Sequence, residues 1–332
     1  MHILLESRPF HPSVGGMETV ARQLAGAWQR QGHAVKVVTQ TPLDDAAPLD
    51  TLDVARQPSL QRWLRLLQQA DLFVQSGISL KTLPLGMWTH TPTICIHHNM
   101  LPLERSTVGI RNGLKRLAAQ FVPNIAVSRA VAQDLPPSRT TVIPNPFEPH
   151  FTSSGEAPDP HHLLFVGRLV SVKGADLVLQ ALSQLPSRYT LTICGDGPEK
   201  RSLEQLVNEF GVKDRVTFRG WVDHDELATV AQRASIQIVP SRYEPFGIVA
   251  LEGIAAGCAI VAAETGGLPE AVGPCGVLVS PENPTALAEG IREATTRREE
   301  LLSERKSHLR AFSIDTIAEH YLDVFRSVLS KS

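Results

Sequence analysis

Cysteine is scarce in this chain: four in 332 residues, at positions 95, 194, 258 and 275, with no C-x-x-C pair among them. No metal-ligand spacing arises from such a set, and three of the four lie in apolar runs where buried, reduced thiols are expected. A basic surplus is also missing. Residues 1–158 carry 14 Lys/Arg against 11 Asp/Glu (+3), and the remainder carries 18 against 23 (−5), giving the net charge of −2. Duplex nucleic-acid binders show a clear cationic excess, so that class is disfavoured. The mildly positive first half leaves room for contact with anionic lipid. No long hydrophobic run reads as a membrane span: the low-charge stretch around Glu252 is interrupted by glycines and turn signals. The opening MHILLESRPF has too short an apolar run for a signal peptide, so a cytosolic protein is expected. The glycine loop after the first strand-like segment is not G-x-G-x-x-G, which removes the dinucleotide fingerprint of a dehydrogenase.

What is present is a globular composition, 42% hydrophobic and 20% charged, in a chain long enough for two domains. Residues 2–5 read as a parallel strand, 17–31 as an amphipathic helix closed by Gly32, and 34–39 as a second strand. That β-loop-α-β order seeds a doubly wound sheet. Strand-like runs recur at 72–75, 93–97, 125–127 and 141–143. The polar stretch 148–161, rich in Pro, Gly and Ser, reads as an interdomain linker. The pattern then restarts, with strands at 162–166, 191–194, 216–219 and 235–239 and helices between them. A first domain over 1–150 and a second over 160–312 are expected, with a terminal helix from 313 onward.

Between 104 and 121, Ile110, Leu114, Leu117 and Phe121 fall on one helical stripe beside Arg111, Lys115 and Arg116. Such a stripe fits a membrane-surface helix, but an ordinary solvated outer face is the expectation.

The most informative stretch is 235–270. A β-branched strand ends at Pro240, and a polar loop leads into a helix over 248–256 closed by Gly257. From Phe246 to Ala263 the only charge is Glu252, placed by helical spacing on a face with Ile248, Leu251 and Ala255. A carboxylate among packed groups is costly unless it accepts hydrogen bonds. Glu244 stands just ahead of the same helix, where the dipole favours an anion or a ligand's phosphate. Earlier, Arg168 and Lys173 sit in the glycine-flanked loop 167–174 between strand and helix. Two cations and backbone N–H groups there suit a diphosphate.

The segment from Glu244 to Glu252 resembles the E-x7-E signature of retaining glycosyltransferases of family 4. Gly167-Arg168 with Lys173-Gly174 resembles the same family's G-R-x4-K-G loop. Gly195-Asp-Gly-Pro resembles its turn near the nucleotide, Gly220-Trp221-Val222 the step whose backbone meets the base, and Gly15-Gly16 its loop facing the donor phosphate. The resemblance is strong over 160–280 and loose in the first half. It implies an α/β fold of the GT-B type, two Rossmann-like doubly wound domains facing a central cleft, with the terminal helix 313–332 crossing back to the first. It further implies metal-independent transfer of a sugar from a UDP- or GDP-sugar to a sugar-containing or lipid-linked acceptor, with no cofactor. Arg168 and Lys173 would hold the diphosphate, Glu252 the ribose hydroxyls, and Glu244 with the backbone of Phe246, Gly247 and Ile248 the donor sugar. A strand-end histidine, His98 rather than His97, would reach the reacting sugar.

Asp223-His-Asp225 fits the D-x-D metal pattern of another glycosyltransferase fold, but the helix start after it makes an N-cap the better account, and no metal is expected. Two other readings share the features: a GT-B nucleotide-sugar epimerase, and a protein that binds nucleotide sugar without turnover. The base, the sugar and the acceptor are not written in the motifs.

Overall fold

The computed structural model describes residues 1–12, 15–42, 51–102, 107–147 and 158–331, without the side chains of Thr107 and His224. Most of the expected linker, 148–157, and the expected end of the first domain at 150 lie outside these residues, as do 13 and 14 of the first glycine loop. The chain divides into two compact units, Met1–Pro146 with Ile314–Ser332, and Phe147–Ser313.

The first unit is built on β1 (His2–Ser7), β2 (Ala34–Thr39), β3 (Asp53–Arg56), β4 (Leu72–Ser76), β5 (Thr93–His97), β6 (Asn124–Ala126) and β7 (Thr140–Val142). All pairings are parallel, in the order β3-β2-β1-β4-β5-β6-β7. β4, β5 and β6 are buried throughout because helices cover both faces of a parallel sheet, while β7 at the edge is largely exposed. The first helix, Gly16–Arg30, buries Val20, Leu24 and Trp28. The terminal helix, Ile314–Leu329, packs against it: Tyr321 and Phe325 lie 5.8 and 5.1 Å from the Trp28 ring, and Trp28 Nε1 donates to the Ala318 carbonyl at 3.4 Å. Such tilted aromatic pairs add to the area they bury.

The second unit repeats the plan with β8 (Asp159–Val166), β9 (Thr190–Cys194), β10 (Val216–Gly220), β11 (Ala234–Val239), β12 (Ala259–Ala263) and β13 (Gly276–Val279), ordered β10-β9-β8-β11-β12-β13 and again parallel. β8 begins at Asp159, inside the stretch expected to be linker; Ser235 Oγ donates to the Asp159 carbonyl at 2.6 Å and extends the strand against β11. Helices Ala175–Ser183 and Pro284–Leu301 cover one face, with Leu179, Leu182, Leu287 and Ile291 in a core with Leu163, Ile193 and Val261. The chain enters and leaves this unit side by side, Phe147 N donating to the Phe312 carbonyl at 3.2 Å.

In both sheets the first strand lies inside the sheet, and the winding reverses beside it. In such sheets the loops diverge at the C-terminal ends of the two strands flanking the reversal, β1 and β4 in one unit, β8 and β11 in the other. All four cysteines are buried and unpaired. Among the described residues no helix is long and apolar enough to cross a membrane.

Candidate functional site

The loops after β8 and β11 are stitched together at the second unit's reversal point. The loop after β8 closes with a 3-10 turn, Ser171–Lys173, and Gly174 in the left-handed region at φ 70°. A Cβ on Gly174 would stand 2.5 Å from the Pro240 carbonyl oxygen, so only glycine lets the two loops approach. Across the gap Lys173 Nζ donates to Glu244 Oε2 at 2.7 Å, and Ser241 Oγ to the same oxygen at 3.2 Å. Arg242 completes the join. Its guanidinium bonds both oxygens of Asp176 at 2.9 and 2.7 Å and the Ser171 carbonyl at 2.5 Å, and its backbone N–H donates to Val172 at 2.9 Å. Glu282 closes on its Nε at 2.7 Å. These carboxylates hold the Arg242 guanidinium firmly charged, its pKa raised by Asp176 above all. The Asp176 carboxyl is lowered despite burial pulling the other way, because Arg242 donates to it and attracts it.

Sequence reasoning missed the Ser241 bond and the Arg242–Asp176 clamp. Arg242 stands two residues before Glu244, but its partner is 66 residues away and only the fold brings it there. Reasoning also separated Lys173 and Glu244 into diphosphate and sugar roles, whereas the structure pairs them. Of the two cations in the loop, Arg168 is exposed and has no ion-pair partner among the described residues.

The remaining motif residues gather on the same sheet edge. Gly195, after β9, has φ 145°, and a Cβ there would fall 1.9 Å from the Gly167 carbonyl oxygen; its own N–H donates to the Gly220 carbonyl at 2.7 Å. Trp221, after β10, is 69% exposed, while Val222 packs beside Leu164 and Cys194. Phe246 is buried against Phe312, 5.9 Å between ring centres. Gly247, at φ 103°, opens the helix Ile248–Ala256, and Gly257 closes it at φ 98°. The Gly267 N–H donates to the Glu244 carbonyl at 2.9 Å, so the turn after β12 braces that loop as well.

The carboxylate held among packed groups is Glu244, 7% exposed, and not Glu252 as the helical spacing suggested; Glu252 is half-buried. The reason is that Leu251, its neighbour, takes the fully buried position, leaving the 248–252–255 stripe partly open. Asp223 caps the helix His224–Arg233, accepting from Glu226 N at 2.8 Å, so one half of the D-x-D pair is committed to backbone.

In the first unit, Glu6 on β1 is buried at the reversal point and accepts from Gln75 at 2.9 Å and Thr82 at 2.5 Å. Burial raises its pKa, and those two bonds partly oppose it. His97 and His98 end β5, both buried. Asn124 gives both amide protons to the Ala119 and Val122 carbonyls, so its oxygen faces His97 Nε2 at 2.9 Å and that nitrogen is the donor. His97 is thereby tied to the next strand. His98 Nε2 lies 2.9 Å from Ser76 Oγ, while its Nδ1 and the Asn145 Oδ1 are buried without a hydrogen-bond partner. Burial lowers both imidazoles to about 4, so both are neutral at pH 7. His98 is the imidazole not tied to the next strand, and the Asn145 side chain beside it opposes the effect of burial.

Two family models match consecutive stretches of this chain, Glycosyltransferase Family 4 over residues 14–151 and Glycosyl transferases group 1 over residues 146–308. Together the two models span residues 14–308, and the chain belongs to the glycosyltransferases. This glycosyltransferase fold is of the GT-B type. HepE from Anabaena, solved in complex with UDP and glucose, superposes at a TM-score of 0.81 over 98% of this chain and 99% of HepE, at 21% identity. An uncharacterized glycosyltransferase of Methanocaldococcus jannaschii is 35% identical over 182 residues, 52% of this chain and 47% of the relative. A D-inositol 3-phosphate glycosyltransferase of Geodermatophilus obscurus is 36% identical over 213 residues, 56% of this chain and 47% of that protein. The chain thus spans about half the length of these curated relatives.

Proposed function

We propose that the chain transfers a sugar from a nucleoside diphosphate donor to a hydroxyl of a glycan, glycolipid or small-molecule acceptor, with retention at the anomeric carbon. The observation that carries this reading is the Lys173–Glu244 pair at the β8/β11 reversal point, beside an Arg168 with no ion-pair partner among the described residues. A diphosphate needs more than one fixed cation, and this edge supplies two in a single glycine-closed loop. Arg242, clamped by Asp176 and Glu282, acts as a positioning residue that fixes the loop geometry before a ligand arrives.

In the proposed reaction the bond from the anomeric carbon to the diphosphate oxygen breaks with its electron pair passing to the leaving group. The acceptor oxygen forms the new bond from the same face, and its proton passes to the departing diphosphate. Negative charge grows on that diphosphate, where Arg168 and Lys173 lower the barrier. Glu244, braced through its backbone by Gly267, receives hydroxyls of the donor sugar, and Glu252 those of the ribose. Trp221 offers an exposed aromatic face near the Gly195 turn for a base. No metal is required in this scheme because the two cations take the role that a divalent ion takes elsewhere. HepE, solved with UDP and glucose, supports the donor class.

Titration calorimetry with UDP and GDP, followed by incubation of the matching sugar donors with a mixed acceptor panel in EDTA, tests the proposal. Micromolar binding of one diphosphate and a new glycosidic product are expected. Donor epimerisation without transfer, binding without turnover, or a strict Mn²⁺ requirement would each overturn it in a distinct way.

A further inference from the structure

The helix Thr107–Ala119 is mounted inside out. Its inner side is held by Asn112, which donates to the Pro102 carbonyl at 2.9 Å, by Ala119, fully buried, and by Arg116, which donates to the Leu101 carbonyl at 2.8 Å and pairs with Asp134. With 100° per residue, the direction opposite these anchors is occupied by Ile110, Leu114, Leu117 and, just past the helix end, Phe121. These four are 52 to 68% exposed. A surface helix normally points charge outward and hides its apolar stripe. Here the stripe faces solvent over three turns. It continues beyond Phe121 into a groove of about 710 Å³ lined also by Met87, Val324, Val328 and Lys331, next to the exposed Trp88.

The charge beside the stripe has one sign. The helix TVGIRNGLKRLAA contains no acidic residue. Arg111 and Lys115, one turn apart at its flank, have no carboxylate partner among the described residues. Burial above all, and then the charges of Arg111 and Arg8, hold the Lys115 ammonium below its usual range.

We propose that this helix docks the protein on an anionic lipid bilayer, Ile110, Leu114, Leu117 and Phe121 entering the headgroup region while Arg111 and Lys115 meet lipid phosphates. An apolar stripe flanked by cations is the chemistry that such a surface selects, and neither part suffices alone. A second copy fits less well, because a two-fold contact through this helix would set each cation row against itself.

The test uses the full chain and vesicles of phosphatidylglycerol with phosphatidylcholine, against phosphatidylcholine alone. Co-sedimentation with the anionic vesicles only, weakened by salt, is expected. Leu114→Ser/Leu117→Ser/Phe121→Ser should lower the partition coefficient on the order of a hundredfold, since three apolar contacts are lost. Because the four native cysteines are buried, Leu114→Cys can carry an environment-sensitive dye. Its emission should shift to the blue on vesicle addition, a readout that does not depend on the triple variant folding. No vesicle binding by the native chain, an unshifted dye, or equal binding by a folded triple variant would overturn the proposal. So would a concentration-dependent dimer that the triple variant dissociates. Nucleotide affinity in the other unit is independent of each outcome, so failure here leaves the proposed transfer reaction standing.

Discussion

The two units share a strand order around their reversal points and fill those points with opposite electrostatics. In the second, charge is kept and organised: Lys173 on Glu244, Arg242 on Asp176, Arg168 in solvent. In the first, polar groups are buried and the two imidazoles are held neutral. Burial raises the Glu6 carboxyl amid uncharged donors, and it depresses both imidazoles to about 4. One fold can therefore offer a polyanion a cationic edge or offer hydroxyls a neutral hydrogen-bonding one. What differs is whether the side chains near the strand ends find water and counter-charges or are closed over.

The sharpest way to break the second unit's half of that comparison is Gly195→Ala. Its Cβ would sit 1.9 Å from the Gly167 oxygen at a φ of 145°, so the loop after β8 must move. A loss of more than about 4 kcal/mol, or no folded protein, is expected in denaturant titration.

The pH dependence of stability probes the first unit. His97 and His98 have folded pKa values near 4, below the ordinary 6.5, so between those values the unfolded chain binds more protons. Stability is then fully present above pH 6.5 and falls as pH drops toward 4, by up to about 1.4 kcal/mol per unit for each histidine. The raised Glu6 works the other way and offsets part of this. Urea midpoints from pH 7 to 4 should fall steeply, and His98→Gln should flatten the curve; a curve equally steep in the variant would reassign the effect.

Lys173→Ala should destabilise by about 2 kcal/mol, because it leaves the Glu244 carboxylate buried without its cation. Lys173→Met with Glu244→Gln should recover most of that loss in melting temperature. Arg168→Ala, in contrast, should change stability by less than about 0.5 kcal/mol, since nothing in the fold leans on it. The same change should weaken nucleotide diphosphate binding on the order of tenfold. Unaltered affinity would remove Arg168 from the site. Smallest is Glu252→Gln: a neutral acceptor replaces a charged one, and calorimetry should read a several-fold loss in nucleotide affinity with the melting temperature held.

Much of the order of strands and helices was legible because local rules wrote it, although β3 and β13, four residues each, were not read as strands. β-branched runs ending in Pro240, Gly257 as a helix stop and Asp223 as a cap need no distant partner, and each stands where the pattern put it. The glycines at 174, 195 and 247 were visible as punctuation, but the carbonyl or side chain that each must clear was not.

By itself, the sequence determined which residue types meet at the ends of the strands, because parallel α/β winding sends every βα loop to one edge. Only the tertiary structure decided the pairings: Lys173 to Glu244, Arg242 to Asp176, His97 to Asn124. It also decided which glutamate is buried and that the 107–119 helix turns its apolar stripe outward. Each depends on separations of 27 residues or more, or on what covers a face, and periodicity along the chain carries no record of either.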